Sequence, residues 1–228
     1  MEQENNIKKP EEISAEGFQL MKSGDYEKAL ELFTTAAGLY SQNKDFKNQA
    51  VQLQAISEIY RLTKQTESAV TTCEELVDIY NRIEEYEQMY RVLNNMGLLE
   101  VGRKKYEKAL IRFKSALEAA EKLGNKKYAA LQTGNIGSVY RDTNQSQQAI
   151  EYYEKALFLH EESGVKEGVG DQYSNIAYIY VVEGRLDSAL ENYEKALTFY
   201  AENENSEKAD FTRQNIERLE AVITENKE

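Results

Sequence analysis

Two stretches decide how this chain is read: NIGSVYRDTNQSQQAIEYYEKAL at residues 135–157 and NIAYIYVVEGRLDSALENYEKAL at residues 175–197. They superimpose with a shift of 40 positions and no gap. In each, a small residue (Gly137, Ala177), a tyrosine (Tyr140, Tyr180), a polar turn, an alanine (Ala149, Ala189) and an aromatic (Tyr153, Tyr193) follow in the same order. Working outward, the alanine column extends to Ala29, Ala69, Ala109, Ala149 and Ala189, each followed by Leu, Val or Ile. Twelve residues earlier stand Gly17, Ser57, Gly97, Gly137 and Ala177; four residues later stand Phe33, Cys73, Phe113, Tyr153 and Tyr193. Seven residues after each alanine come Ala36, Leu76, Ala116, Ala156 and Ala196. Small residues are needed where two helices of a hairpin cross closely, and an aromatic one turn away fills the space beside them. The string YEKAL is a poorer guide, because its starts at Tyr26, Tyr106, Tyr153 and Tyr193 mix two frames.

This grammar of small residue, Tyr, turn, Ala, aromatic and Ala resembles the tetratricopeptide repeat along most of the chain. The resemblance implies an all-α fold, a right-handed superhelical solenoid of helix–turn–helix repeats. The period of 40 departs from the usual ~34 and is similar to the subgroup found in kinesin light chains, Pins-type adaptors and bacterial peptide-sensing regulators. HEAT and armadillo repeats have similar lengths but lack this grammar. Five repeats are expected, at about 10–45, 46–85, 86–125, 126–165 and 166–205. Their helices are expected at 12–23 and 26–41, 45–63 and 66–82, 86–103 and 106–123, 126–143 and 146–163, and 166–183 and 186–203. Residues 1–9 read as a mobile tail, and 206–228 as a capping helix and tail with Phe211, Ile216, Leu219 and Ile223 on the inward face. Gly24 and Gly184 suit the turns inside hairpins, and Gly124 and Gly164 suit the exits of second helices. Repeat two matches least well, with Ser57, Cys73 and Leu76 in three signature columns.

Composition agrees with exposed amphipathic helices: Pro10 is the only proline, and Glu- and Lys-rich runs alternate with apolar pairs. No apolar run approaches the ~18 residues needed to cross a bilayer, and the first residues, MEQENNIKKPEE, have no signal-peptide core. Cys73 is the only cysteine, which excludes an internal disulfide and suits a reducing, cytoplasmic setting. A formal charge of −12 argues against binding nucleic acid through its phosphates. No catalysis, cofactor or metal is expected. His160, the only histidine, stands in a column that reads Tyr40, Tyr80, Ala120, His160 and Tyr200, so it reads as packing. Cys73 likewise occupies a core column. The glycines from Gly164 to Gly170 follow a helix rather than a strand and read as a turn, not as a phosphate loop.

The expected site is a groove on the concave side. In the related families the first helix of each hairpin lines that side and an Asn column contacts peptides. The matching column here reads Ala15, Ala55, Asn95, Asn135, Asn175 and, in the cap, Asn215. An Asn side chain offers both a donor and an acceptor, so a ladder of them can pair with the main chain of an extended peptide. Asn94, Tyr178 and the arginines Arg61, Arg91 and Arg141 join this surface. Glu58, Asp142 and Asp171 stand against the arginines, and Leu98, Val101, Val181 and Val182 add apolar portions. The carboxylate clamp of chaperone-binding relatives is not matched, since the places that correspond hold Ser14, Phe18, Ala55, Arg91 and Asn95. The sequence therefore points to an adaptor that binds a protein or peptide segment bearing acidic residues and apolar anchors, with no nucleic acid and no membrane insertion. A self-assembling homo-oligomeric scaffold and a peptide-sensing regulatory subunit are the alternatives.

Overall fold

The computed structural model describes residues 8–225, apart from the side chain of Glu167. Of the tail expected at 1–9, residues 1–7 lie outside the described residues, as do 226–228. Among the described residues there are eleven helices and no strand. The helices are α1 Pro10–Ser23, α2 Tyr26–Gln42, α3 Phe46–Leu62, α4 Thr66–Arg82, α5 Tyr86–Gly102 and α6 Tyr106–Lys122. They continue with α7 Lys126–Asp142, α8 Ser146–Ser163, α9 Lys166–Val182, α10 Leu186–Glu202 and α11 Ser206–Glu225. Two compact units divide the chain, Met1–Val92 and Leu93–Glu228.

One joint, recurring at an even interval along the chain, ends the first ten helices. Gly24, Lys44, Lys64, Glu84, Lys104, Gly124, Asn144, Gly164, Gly184 and Glu204 all have left-handed backbones, with φ between 55 and 86°. At each joint the next residue's N–H closes back on the carbonyl five residues earlier, as in Asp45 to Tyr40 at 2.9 Å and Gln145 to Tyr140 at 2.8 Å. This is the helix-ending loop in which a left-handed residue satisfies carbonyls that the helix leaves open. Four of the ten residues that start the next helix also cap it: Asp25, Asp45, Asn125 and Asn205 accept a backbone N–H three residues on.

Within each unit, sequential helices pack as antiparallel neighbours. In the first, α1 lies on α2, α2 on α3 and α3 on α4. Its core holds Ile13, Ala36 and Tyr40, and Phe33 is wholly buried with its ring against Gly17 and edge-on to Phe18. In the second unit each helix from α6 to α11 packs on the next, and α7 also touches α9. Its cores run through Ala109, Phe113, Ile136 and Val139, then Ala149, Tyr153, Ile176 and Ile179, then Ala177, Ala189, Tyr193, Ile216 and Leu219. Fully burying one such large side chain stabilises by roughly 1.5–3 kcal/mol relative to leaving it exposed.

The small and aromatic columns meet as partners. A methyl group on Gly97 would overlap the Phe113 ring, and one on Gly137 would stand 2.8 Å from Tyr153. In the second repeat both partners change together, and the Ser57 hydroxyl lies 3.2 Å from the Cys73 thiol. Two expectations are corrected here. Only Gly164 forms the turn; Gly168 and Gly170 lie inside α9, where a methyl group would overlap His160 and Tyr200. Phe211 does not face the cap's core: α11 buries Ala209, Thr212, Ile216 and Leu219, and Phe211 is 64% exposed. The residue five ahead of Ile216 points about 140° away from it around a helix.

Candidate functional site

In the second unit, first helices α7 and α9 and the final helix α11 enclose a cleft of about 980 Å³. Three large apolar side chains stand open on it: Leu131 at 48%, Tyr178 at 51% and Phe211 at 64% exposure. Leu131, Asp171 and Phe211 occupy one column of the repeat frame, each contributed by a different helix. Asn135, Asn175 and Asn215 form a second column on the same cleft, all three half-buried.

Two of these three amides already have partners within the chain. Asn135 Nδ2 donates to Asn94 Oδ1 and to Gln132 Oε1, both at 3.4 Å, and Gln132 Nε2 donates to the same Asn94 oxygen at 2.8 Å. Asn94 Nδ2 reaches Asn95 Oδ1 at 3.5 Å. Gln132 is wholly buried, so this pairing also keeps a buried amide from standing unsatisfied. Asn175 Oδ1 accepts from Arg141 Nη1 at 3.3 Å.

Arg141 is the centre of the cleft's electrostatics. Its Nε and Nη2 both donate to Asp142 Oδ1, at 3.0 and 2.9 Å, and its guanidinium lies 5.8 Å from the Tyr178 ring centre. At the other end, Asp171 Oδ1 accepts from the Tyr200 hydroxyl and from Lys208 Nζ, both at 2.7 Å. Lys208 thus ties α11 to α9, and its ammonium lies 5.5 Å from the Tyr200 ring centre. Beneath the cleft, burial pushes the Tyr153 phenol up, while its bond to Ser138 and the charge of Arg141 act the other way. The phenol therefore stays protonated and serves as a donor.

Each of the three arginines expected on this surface lies beside an acid of its own helix. Arg61 is held by Glu58 through two bonds, and these hold the Glu58 carboxyl below its usual range. Arg91 lies 4.0 Å from Glu87. Arg61 and Arg91 belong to the first unit, whereas Asn94, Asn95, Asn135, Arg141, Asn175, Tyr178 and Asn215 belong to the second. Leu98, Val101, Val181 and Val182 are not among the cleft's lining residues. Asp171, Lys208, Leu131 and Phe211 are the members that sequence reading underrated. Following the Arg91 column forward one period at a time leads to Leu131, Asp171 and Phe211, and that was the available signal.

Among the described residues no group of three or more His, Cys, Asp or Glu could hold a metal ion, and no described helix is long and apolar enough to cross a membrane. The helical hairpins and their small–aromatic pairing define an all-α repeat protein of the solenoid class. The chain belongs to the tetratricopeptide repeat family: one model of that repeat matches residues 49–122 and 88–162, and another matches 173–209. No curated protein matches the sequence. Among solved structures, the apo form of RapI is similar with a TM-score of 0.68 at 19% identity, covering 88% of this chain and 56% of RapI. A Rap protein complexed with competence and sporulation factor has a TM-score of 0.52 at 18% identity, covering 95% of this chain and 76% of that one. TPR-like repeats assigned as kinesin light chain in Podosopora anserina have a TM-score of 0.57 at 14% identity, covering 86% and 99%. At these identities the likeness is one of fold. The family is one of protein-interaction adaptors and regulators.

Proposed function

We propose that this chain is a non-catalytic adaptor that holds an extended peptide segment of another protein in the cleft between α7, α9 and α11. The observation that carries the reading is a single cleft that combines an amide column with three exposed apolar side chains. Asn135, Asn175 and Asn215 supply donors and acceptors for a peptide main chain, and Leu131, Tyr178 and Phe211 supply seats for its apolar residues. Arg141 supplies the grip for a carboxylate. Its present partner, Asp142, is the adjacent residue on α7 and is partly exposed, so the guanidinium lines the cleft with an acid already beside it. A ligand carboxylate competes with Asp142 for the guanidinium fork. The Rap structure holds competence and sporulation factor, which is a precedent for a fold of this kind receiving an effector.

Selecting a displayed random-peptide library against the full chain tests the proposal. The enriched peptides should share an acidic residue near an apolar one. Asn175→Ala with Tyr178→Ala should weaken them by about ten-fold or more while leaving the helical circular dichroism intact. Peptides that bind this double variant as tightly as the parent would remove the cleft from consideration.

A further inference from the structure

On the other side of α7, the second helices α6 and α8 of the same unit form a separate hollow of about 680 Å³. Leu117, Tyr152, Phe158 and Leu159 give it apolar walls, and Thr133 of α7 lies at its base. Phe158 is 58% exposed. The repeat register makes this side chain informative. Its column reads Gly38, Asp78, Glu118, Phe158 and Thr198, and all five are exposed. Packing asks for nothing large or apolar at this position, and only the fourth repeat supplies it.

The rim is predominantly acidic. Glu121, Glu151 and Glu154 surround the hollow against a single Lys155, whose ammonium is taken up 4.9 Å from the Tyr152 ring centre. Glu121 and Glu154 form no ion pair among the described residues. This contrasts with the α7–α9–α11 cleft, where Asp142 and Asp171 each already hold a cation. Low-dielectric walls ringed by carboxylates focus a negative potential, which attracts cations and steers basic partners.

We infer that the α6–α8 hollow is a second docking surface, for a basic segment of a partner protein that places a large apolar side chain beside Phe158 and its Lys or Arg residues on Glu121, Glu151 and Glu154. A second copy of this chain is a poor occupant, because each copy carries a charge of −12. The surface is independent of the peptide cleft and stands or falls separately from it.

Two labelled synthetic peptides with the same leucine spacing, one carrying lysines and the other glutamates, test the inference by fluorescence anisotropy on the full chain. The lysine peptide should bind, and its amide shift changes should centre on α6 and α8. Phe158→Ser should weaken it about ten-fold, as loss of an aromatic anchor does. Glu121→Lys with Glu154→Lys should abolish it, and Arg141→Glu should leave it unchanged. All of these positions except Arg141 are exposed, so circular dichroism and melting should match the parent. No binding by the lysine peptide, binding indifferent to Phe158→Ser, or shift changes spread over the whole surface would overturn the inference. So would a dimer seen by light scattering that Phe158→Ser dissolves, since a second copy would then be the occupant.

Discussion

A methyl group added to Gly97 would overlap the Phe113 ring, whereas one added to Gly38 would meet nothing within 4 Å. Alanine gains about 1 kcal/mol over glycine inside a helix, and overpacking a core costs typically ~1–3 kcal/mol. Gly38→Ala should therefore stabilise by roughly 0.5–1 kcal/mol and Gly97→Ala should destabilise by up to about 2 kcal/mol, both read from denaturant titrations. Opposite signs are the test; a gain at both positions would mean that the ring can move freely. The fifth repeat shows what accommodation looks like, since Tyr193 beside Ala177 is 7% exposed where Phe113 is 1%. His160 makes a pH statement at the same scale. Burial holds its imidazole below the usual range, with Asp171 acting the other way and Lys127 reinforcing the drop. The folded chain then binds its proton less readily than the unfolded one, so stability rises with pH across that interval. The contribution is complete above about pH 6.5 and is lost as pH falls through the lowered folded value. Melting temperature should drop between pH 7 and 5.5, and His160→Tyr, the residue common in that column, should flatten the curve. An unchanged slope in that variant would assign the acid sensitivity elsewhere.

At the scale of elements, the ten joints share one backbone solution but not one residue type. Glycine occupies four of them, and Lys, Glu or Asn occupy the other six at positive φ. A residue with a Cβ costs about 1 kcal/mol in this conformation, somewhat offset by glycine's freedom in the unfolded chain. Glu84→Gly and Glu204→Gly should each stabilise by roughly 0.5–1 kcal/mol, and Gly124→Ala should cost about 1 kcal/mol, as thermal unfolding can read. The four glycine joints were legible in the sequence because glycine advertises positive φ. The five Lys and Glu joints were not, since those residues carry no local signal for it and only their even spacing from a glycine joint marks them; Asn144 is of a type that favours this conformation. Helix identity and extent were legible for a related reason, as the columns of small and aromatic residues fix both partners of every hairpin at once. Phe211 was misread because its face was taken from hydrophobicity alone, although the 40-residue register carries it into the column of Arg91, Leu131 and Asp171.

At the scale of the whole molecule, stability in stacked repeats is a sum over neighbours, so a weak repeat marks where opening begins. In the first unit, Ala69 is only half-buried, whereas Ala29 in the same column is wholly buried, and Cys73 replaces the aromatic that Phe33 supplies. Hydrogen–deuterium exchange should find α4 less protected than α2; equal protection would mean that Leu76, Ile79 and Tyr80 make up for the missing ring. The candidate cleft was legible in part. Its asparagine column and Tyr178 followed from register, but the mutual engagement of Asn94, Gln132 and Asn135, and of Arg141 with Asp142, depends on rotamers that no periodicity encodes. The even recurrence of the left-handed joint has a last consequence, for how such a chain can change length. A block of one whole period excised or duplicated between two joints leaves every later helix in phase, so unequal recombination can lengthen or shorten the protein without inventing a new interface. A slip of half a period would put a second helix where a first belongs and set the aromatic column against itself. Variants of this chain that differ in length should therefore differ by whole periods, a pattern that sequencing can check without a structure.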